Sequence, residues 1–164
     1  MAVTPAPILT SLDEASVWAQ AQRDSGRKVV LTNGHFDLLH AGHATYLQAA
    51  RLLGDALIVG VNDDAATTAL KGPQRPLIPA TERALLLSHL RAVDCVVIFP
   101  QYTADALLRY VRPHVYVKGG DYDLSSLPEA ATAAEVGAEM AFIPLVPGHS
   151  TTSVLQRILS RFAP

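Results

Sequence analysis

Apolar residues fall along this chain in five short runs: "KVVLTN" from residue 28, "ALIVGV" from 56, "CVVIF" from 95, "VYV" from 115 and "MAFIPL" from 140. None of them alternates apolar with polar positions. A strand that is apolar on both faces is covered on both faces, the pattern of a parallel sheet sandwiched by helices. Between the runs the spacing becomes helical. His43, Tyr46, Leu47, Ala50 and Leu53 recur three or four residues apart, and Gly54 stops the series. Residues 81–93 and 103–111 read the same way. Pro128 suits the first turn of a helix through "EAATAAEV", and "STTSVLQRILSRF" closes the chain behind an N-cap at Ser150 or Thr151. Near the start, "SLDE" has the form of a capping box, so a helix is expected from Ser11 to about Ser25, ended by Gly26.

An N-terminal helix followed by about five strand–helix units predicts an α/β fold: a Rossmann-like, doubly wound sheet of about five parallel strands with helices on both faces. Ligands of such sheets bind beyond the carboxyl ends of the strands, where the strand order reverses. The Pro-rich break "KGPQRPLIPA", residues 71–80, reads as a mobile surface loop. Residues 1–10 read as a flexible lead-in to a single domain spanning 1–164.

Composition narrows the partners. With 13 Lys and Arg against 15 Asp and Glu, and a pI near 6.3, the chain has no overall field that would draw nucleic acid or an anionic membrane. Any phosphate must be gripped locally. The lone cysteine, Cys95, sits in an apolar run, as a buried hydrophobe rather than a nucleophile does, and no disulfide can form within one chain. No run approaches the roughly 18 apolar residues of a membrane span, and the N-terminus lacks the basic and apolar regions of a signal peptide. A soluble, cytoplasmic protein is expected.

The candidate chemistry lies in "GHFDLLHAGH", residues 34–43, which leaves the first long strand at its carboxyl end. His40 and His43 are three apart, so both imidazoles can reach across the first turn of the following helix. The amides of that turn are unpaired and partly positive, which suits a phosphate. Imidazoles beside them can neutralise charge growing on phosphate oxygens during an in-line displacement.

"GHFDLLHAGH" and "STT" before the last helix resemble the two signatures of the HxGH nucleotidyltransferases, the cytidylyltransferase-like superfamily. Together with "LKGPQRPLIP", "VKGGDY" and "GHSTT", they resemble the adenylyltransferase domain that makes ADP-activated heptose from ATP and D-glycero-D-manno-heptose 1-phosphate. The resemblance covers roughly residues 12–162. It implies catalytic roles for His40 and His43 at the α-phosphorus, with Lys71 closing over the triphosphate. It implies a nucleotide site of Thr32, Asn33, Gly34, Phe36, Lys118, Gly119, Asp121, Ser150, Thr151 and Thr152, and an acceptor side of Asp37, Arg75 and Arg83. Mg²⁺ would arrive with the nucleoside triphosphate, and a homodimer is implied. The same signatures leave open a cytidylyltransferase using CTP and glycerol 3-phosphate, or a nucleotide-binding sensor without turnover.

Plainer readings stand beside these. "STT" is also an ordinary helix cap, "KGGDY" an ordinary glycine turn, and Lys71 and Arg75 ordinary loop charges. His89 and His114 read as packed or solvated residues. His35 and His149 depart from the family pattern, where small or apolar residues are usual. They are either neutral changes at a rim or residues that alter acceptor choice or attract a transition metal.

Overall fold

The computed structural model describes residues 4–120 and 127–162. Six parallel strands form one sheet: β1 (Ile8–Leu9), β2 (Val29–Gly34), β3 (Ala56–Asn62), β4 (Cys95–Phe99), β5 (Val115–Gly119) and β6 (Glu139–Ile143). Their order across the sheet is β1-β4-β3-β2-β5-β6. After the short edge strand β1, the chain enters the centre at β2, builds outward through β3 and β4 until β4 meets β1, then returns to add β5 and β6 on the other side. The strand order therefore reverses between β2 and β5, where Thr32 is in register with Val117.

The unbroken apolar runs are explained by burial on both faces. Val30, Leu57, Val59 and Val61 pack with Tyr46, Leu47 and Ala50 of α2 (Ala41–Arg51) and with Ala84 and Leu87 of α4 (Ala80–Ser88). On the opposite face, Val29, Leu31, Ile58 and Val97 meet Ala15 and Ala19 of α1 (Leu12–Asp24), Leu107 and Leu108 of α5 (Asp105–Val111), and Ala133 of α6 (Ala130–Glu135). Cys95 is fully buried in this second layer, and burial pushes its thiol pKa up to about 12, so it packs as a hydrophobe. The capping box of α1 is formed as expected: Ser11 Oγ accepts from the Glu14 amide, and the Glu14 carboxylate accepts from the Ser11 amide.

Several boundaries differ from the sequence reading. The expectation of a flexible first ten residues gives way at Ile8–Leu9, which pair with Val96 and Val97 as an edge strand. The helix expected over 81–93 ends at Ser88, because the following residues close i→i+3 turns, His89 to Leu86 and Leu90 to Leu87. Helix α3 (Asp64–Lys71) is short, with only Ala66 and Thr67 buried, and is started by the Asp63 side chain accepting from the Ala66 amide. Lys71 therefore belongs to the last turn of a helix. The following loop is tied down: Asp37 accepts from the amides of Leu77 and Ile78 at 2.7 and 3.0 Å, and Thr68 Oγ1 donates to the Arg75 carbonyl. The last helix, α7 (Thr151–Phe162), buries none of its residues, and Ile158, Leu159 and Phe162 on it are exposed. Among the described residues no helix is long and apolar enough to cross a membrane.

Candidate active site

At the carboxyl end of β2 the chain must turn from a buried strand into α2, and it does so through Phe36, which adopts a left-handed backbone (φ 49°) rare for a bulky residue. Its ring lies over Gly34. A Cβ at that glycine would stand 3.1 Å from the Phe36 ring, so only glycine fits without displacing it. Phe36 in turn tilts against the His43 imidazole, their centroids 5.3 Å apart. His40 and His43 stack on each other at 3.9 Å. Gly42 lies beneath them: a Cβ there would come within 3.0 Å of the His40 ring and of His149 Cβ.

Burial first, and then the neighbouring His40, lower the His43 pKa to about 4, with the Leu38 carbonyl working the other way. Burial, and then His149, lower that of His40. Both rings are therefore neutral near pH 7, and the Nδ1 atom of each is buried without a hydrogen-bond partner. His40 occupies the N-cap of α2 in an extended conformation (φ −142°), and its side chain makes no cap bond. The His43 amide donates to the His40 carbonyl at 3.0 Å, so the turn offers a ligand its first two amides, those of Ala41 and Gly42.

Helix α7 presents a second N-terminus to the same place. Ser150 and Ser153 cap it reciprocally: Ser150 Oγ accepts from the Ser153 amide and Ser153 Oγ accepts from the Ser150 amide, both at 3.0 Å. The threonines after the cap are free to face the site. A cavity of about 270 Å³ is walled by Asn33, His40, His43, Gly119, His149 and Ser150, among others. A more polar cavity of about 300 Å³ adjoins it, lined by Asp37, Thr67, Lys71, Arg75 and Thr152. His35, Phe36, His43 and Thr151 belong to both. Two helix N-termini and two imidazoles thus converge where the strand order reverses. That arrangement can hold a polyphosphate in one cavity and a second anion in the other.

The expected site residues divide into three groups. Asn33, Gly34, Phe36, His40, His43, Gly119, Ser150 and Thr151 line the first cavity, and Asp37, Lys71, Arg75 and Thr152 the second. Asp37, 3% exposed, is an organiser of its loop, pairing with Arg75 at 2.9 Å besides the two amides it accepts. Thr32, Lys118 and Arg83 line neither cavity. Thr32 is fully buried, its hydroxyl 2.6 Å from that of Tyr46 and donating to the Val117 carbonyl. Lys118 is paired with Glu129 at 3.1 Å. Arg83 is also fully buried and donates to the carbonyls of His35, Ile78 and Asn62 and to Asp64, so its fork supports the loops instead of facing a substrate. Asp121 lies outside the described residues.

Thr67, Tyr46, Leu145 and Val146 also line the cavities without any motif that would have marked them. Tyr46 and Thr67 lie within α2 and α3, and Leu145 and Val146 in the loop after β6, so packing alone brings them to the site. His35 and His149 are both at the site; their Nδ1 atoms pair with Thr67 Oγ1 and with the Pro147 carbonyl at 3.0 Å. Among the described residues no group of three or more His, Cys, Asp or Glu side chains is placed to hold a metal ion.

A parallel sheet with anion-receptive helix ends at its switch point, and paired imidazoles between them, defines a nucleotide-handling α/β domain of the nucleotidyltransferase type. A family model described as cytidylyltransferase-like matches residues 31–157, and the chain belongs to that family. The chain is 46% identical over 142 residues to the bifunctional protein HldE of Trichlorobacter lovleyi, an alignment covering 87% of this chain and 29% of that protein. It is likewise 46% identical over 150 residues to the bifunctional protein HldE of Pseudomonas aeruginosa, covering 92% of this chain and 32% of the relative. It thus spans about a third of the length of these relatives. Among solved structures, the lipopolysaccharide core biosynthesis protein from Thermoplasma volcanium matches with a TM-score of 0.59 at 27% identity, over 74% of this chain and 98% of that one.

Proposed function

We propose that the chain joins ATP to D-glycero-D-manno-heptose 1-phosphate. A phosphate oxygen of the sugar attacks the α-phosphorus of ATP, the bond from that phosphorus to the bridging oxygen of the β-phosphate breaks, and ADP-heptose and pyrophosphate result. The observation that carries the reading is the meeting of His40, His43 and the N-termini of α2 and α7 on one cavity at the switch point of the sheet. Family membership supports nucleotidyl transfer as the chemistry, and "LKGPQRPLIP" with "VKGGDY" supports the acceptor.

Little acid–base work is required, because a phosphate monoester is already an anionic nucleophile. The neutral imidazoles of His40 and His43, whose Nδ1 atoms are unpaired, take up protons from solvent as the negative charge of a triphosphate arrives, and the resulting positive charge stabilises the transition state at the α-phosphorus. Lys71 and Arg75 in the adjoining cavity balance charge on the acceptor phosphate and the departing pyrophosphate. The walls do not fit a protein-held divalent cation. Asp37, the one carboxylate on either of these two cavities among the described residues, is committed to Arg75 and two amides. The cation, which we take to be Mg²⁺, enters as the nucleotide complex. A cytoplasmic homodimer belongs to the same reading, supported by the uncovered apolar residues of α7.

The test is pyrophosphate release with Mg²⁺, crossing ATP and CTP against heptose 1-phosphate and glycerol 3-phosphate. Release with ATP plus heptose 1-phosphate is expected. Release only with CTP and glycerol 3-phosphate would transfer the chain to the cytidylyltransferases, and binding of nucleotide without release from any pair would make it a sensor.

A further inference from the structure

His35 is one of four residues, with Phe36, His43 and Thr151, that line both cavities. Its orientation is not accidental. Thr67, fully buried in α3, has a hydroxyl whose proton is directed at the Asn62 carbonyl, 3.4 Å away. The oxygen of that hydroxyl is then the acceptor for His35 Nδ1 at 3.0 Å. With the Thr67 proton on that carbonyl, Nδ1 carries the ring proton and Nε2 is left as a lone pair that can accept from a ligand, and this is the tautomer on which the assignment rests.

The surroundings keep the ring uncharged. Burial acts first, then the cations of Lys71, Arg83 and Arg75, with Asp37 opposing, and together they bring the pKa down to about 4. Like His40 and His43 it is a neutral ring, but unlike theirs its Nδ1 is held by a side-chain hydroxyl, so in this tautomer it meets a ligand as a fixed hydrogen-bond acceptor beside the cations Lys71 and Arg75. A phosphate oxygen gains nothing from it. A hydroxyl group does.

The geometry points to His35, oriented by Thr67, as the specificity-determining contact for a hydroxyl of the acceptor, selecting a polyhydroxylated sugar phosphate over an acceptor that offers no hydroxyl at the cavity seam. This rests on the acceptor reading above and deepens it. Loss of one neutral hydrogen bond corresponds to roughly a threefold to tenfold change in affinity.

Two variants separate the ligand contact from the structural one. His35→Asn keeps a side-chain donor near the Nδ1 position for Thr67 but has nothing where Nε2 was; His35→Gln restores an acceptor at about that reach. Steady-state pyrophosphate release is measured with ATP and heptose 1-phosphate, and with monodeoxy analogues of the sugar. His35→Asn is expected to raise the acceptor KM about fivefold, leave the ATP KM within twofold, and be largely rescued by His35→Gln. One monodeoxy analogue should show the same penalty with the wild-type enzyme and no further penalty with His35→Asn. An unchanged acceptor KM, or an ATP KM that rises equally, would overturn the assignment. Silence of the wild-type enzyme with heptose 1-phosphate would instead be a failure of the proposed function. The same variants would then be compared on whichever pair in the nucleotide and acceptor screen releases pyrophosphate, and, if none does, on calorimetric binding of the sugar phosphate itself, where an equal affinity for wild type and His35→Asn would overturn the assignment.

Discussion

Replacing Arg83 with Met tests whether this residue supports the fold or the substrate. The side chain is fully buried, with Nε donating to the Ile78 carbonyl at 2.8 Å, Nη2 to the Asn62 carbonyl at 2.9 Å and to Asp64 at 2.8 Å, and Nη1 to the His35 carbonyl. The Asp64 side chain is about half exposed, so the ion pair itself contributes little through solvent screening. The carbonyls carry the effect. The His35 and Ile78 carbonyls lose their Arg83 donor while that of Asn62 keeps the Thr67 hydroxyl; each buried acceptor left without a donor costs about 1–3 kcal/mol, and because the surrounding loops relax together the losses do not add fully. A net loss of roughly 3 kcal/mol is expected, a large share of the ~5–15 kcal/mol that holds a typical domain together. For a chain of this size that lowers the melting temperature by about 6–12 °C. Urea unfolding followed by circular dichroism should show a lower midpoint with an unchanged slope. At a temperature where the variant is folded, its acceptor KM should stay within about threefold of wild type. An unaltered midpoint combined with a tenfold rise in acceptor KM would refute the reasoning and return Arg83 to the acceptor site.

Gly42→Ala separates stability from activity. Alanine gains about 1 kcal/mol of helix propensity over glycine, yet its Cβ would press at 3.0 Å on the His40 ring, a displaceable side chain. Stability is expected to change by less than about 1 kcal/mol while turnover falls at least tenfold, toward the roughly hundredfold loss expected for His40→Ala or His43→Ala; turnover near wild type would show that His40 does not depend on this approach. The pH dependence has a definite sign. His35 and His43 both have folded-state pKa values lowered to about 4 from 6.5, so the stability they confer is complete above pH 6.5 and is lost as the pH falls through 4. The urea midpoint of the ligand-free protein should drop between pH 7 and 5, less so in His43→Gln, and a flat profile would contradict the burial of these rings.

The elements that the sequence announced are those whose signal is local. Val29 to Leu31 and Ala56 to Val61 read as buried parallel strands because every position is apolar, and burial on two faces requires that. The box of Ser11 and Glu14 marked the start of α1 because capping is settled within four residues. "HAGH" placed two imidazoles on the first turn of α2 for the same reason. Helix α3 escaped because it is only eight residues long, buries just Ala66 and Thr67, and runs straight into the Pro-rich break. Strand β1 escaped because two residues added to an edge carry no pattern of their own.

Other features were decided by the assembled fold. Two arginines in similar polar surroundings, Arg75 and Arg83, read alike in sequence; packing put one on a cavity wall and sealed the other among carbonyls. Lys71 reads as a loop charge until Asp63 is seen to cap the helix that carries it. The pairing of His35 with Thr67 joins residues 32 positions apart. Local backbone preference and the cost of exposing apolar surface act over a few residues, so the sequence by itself determined the five longer strands, most of the helices and the imidazole pair. Which cations face the cavities, which side chains are tethers and how a ring is protonated depend on neighbours brought together by crossovers of the sheet, and only the tertiary structure could decide them.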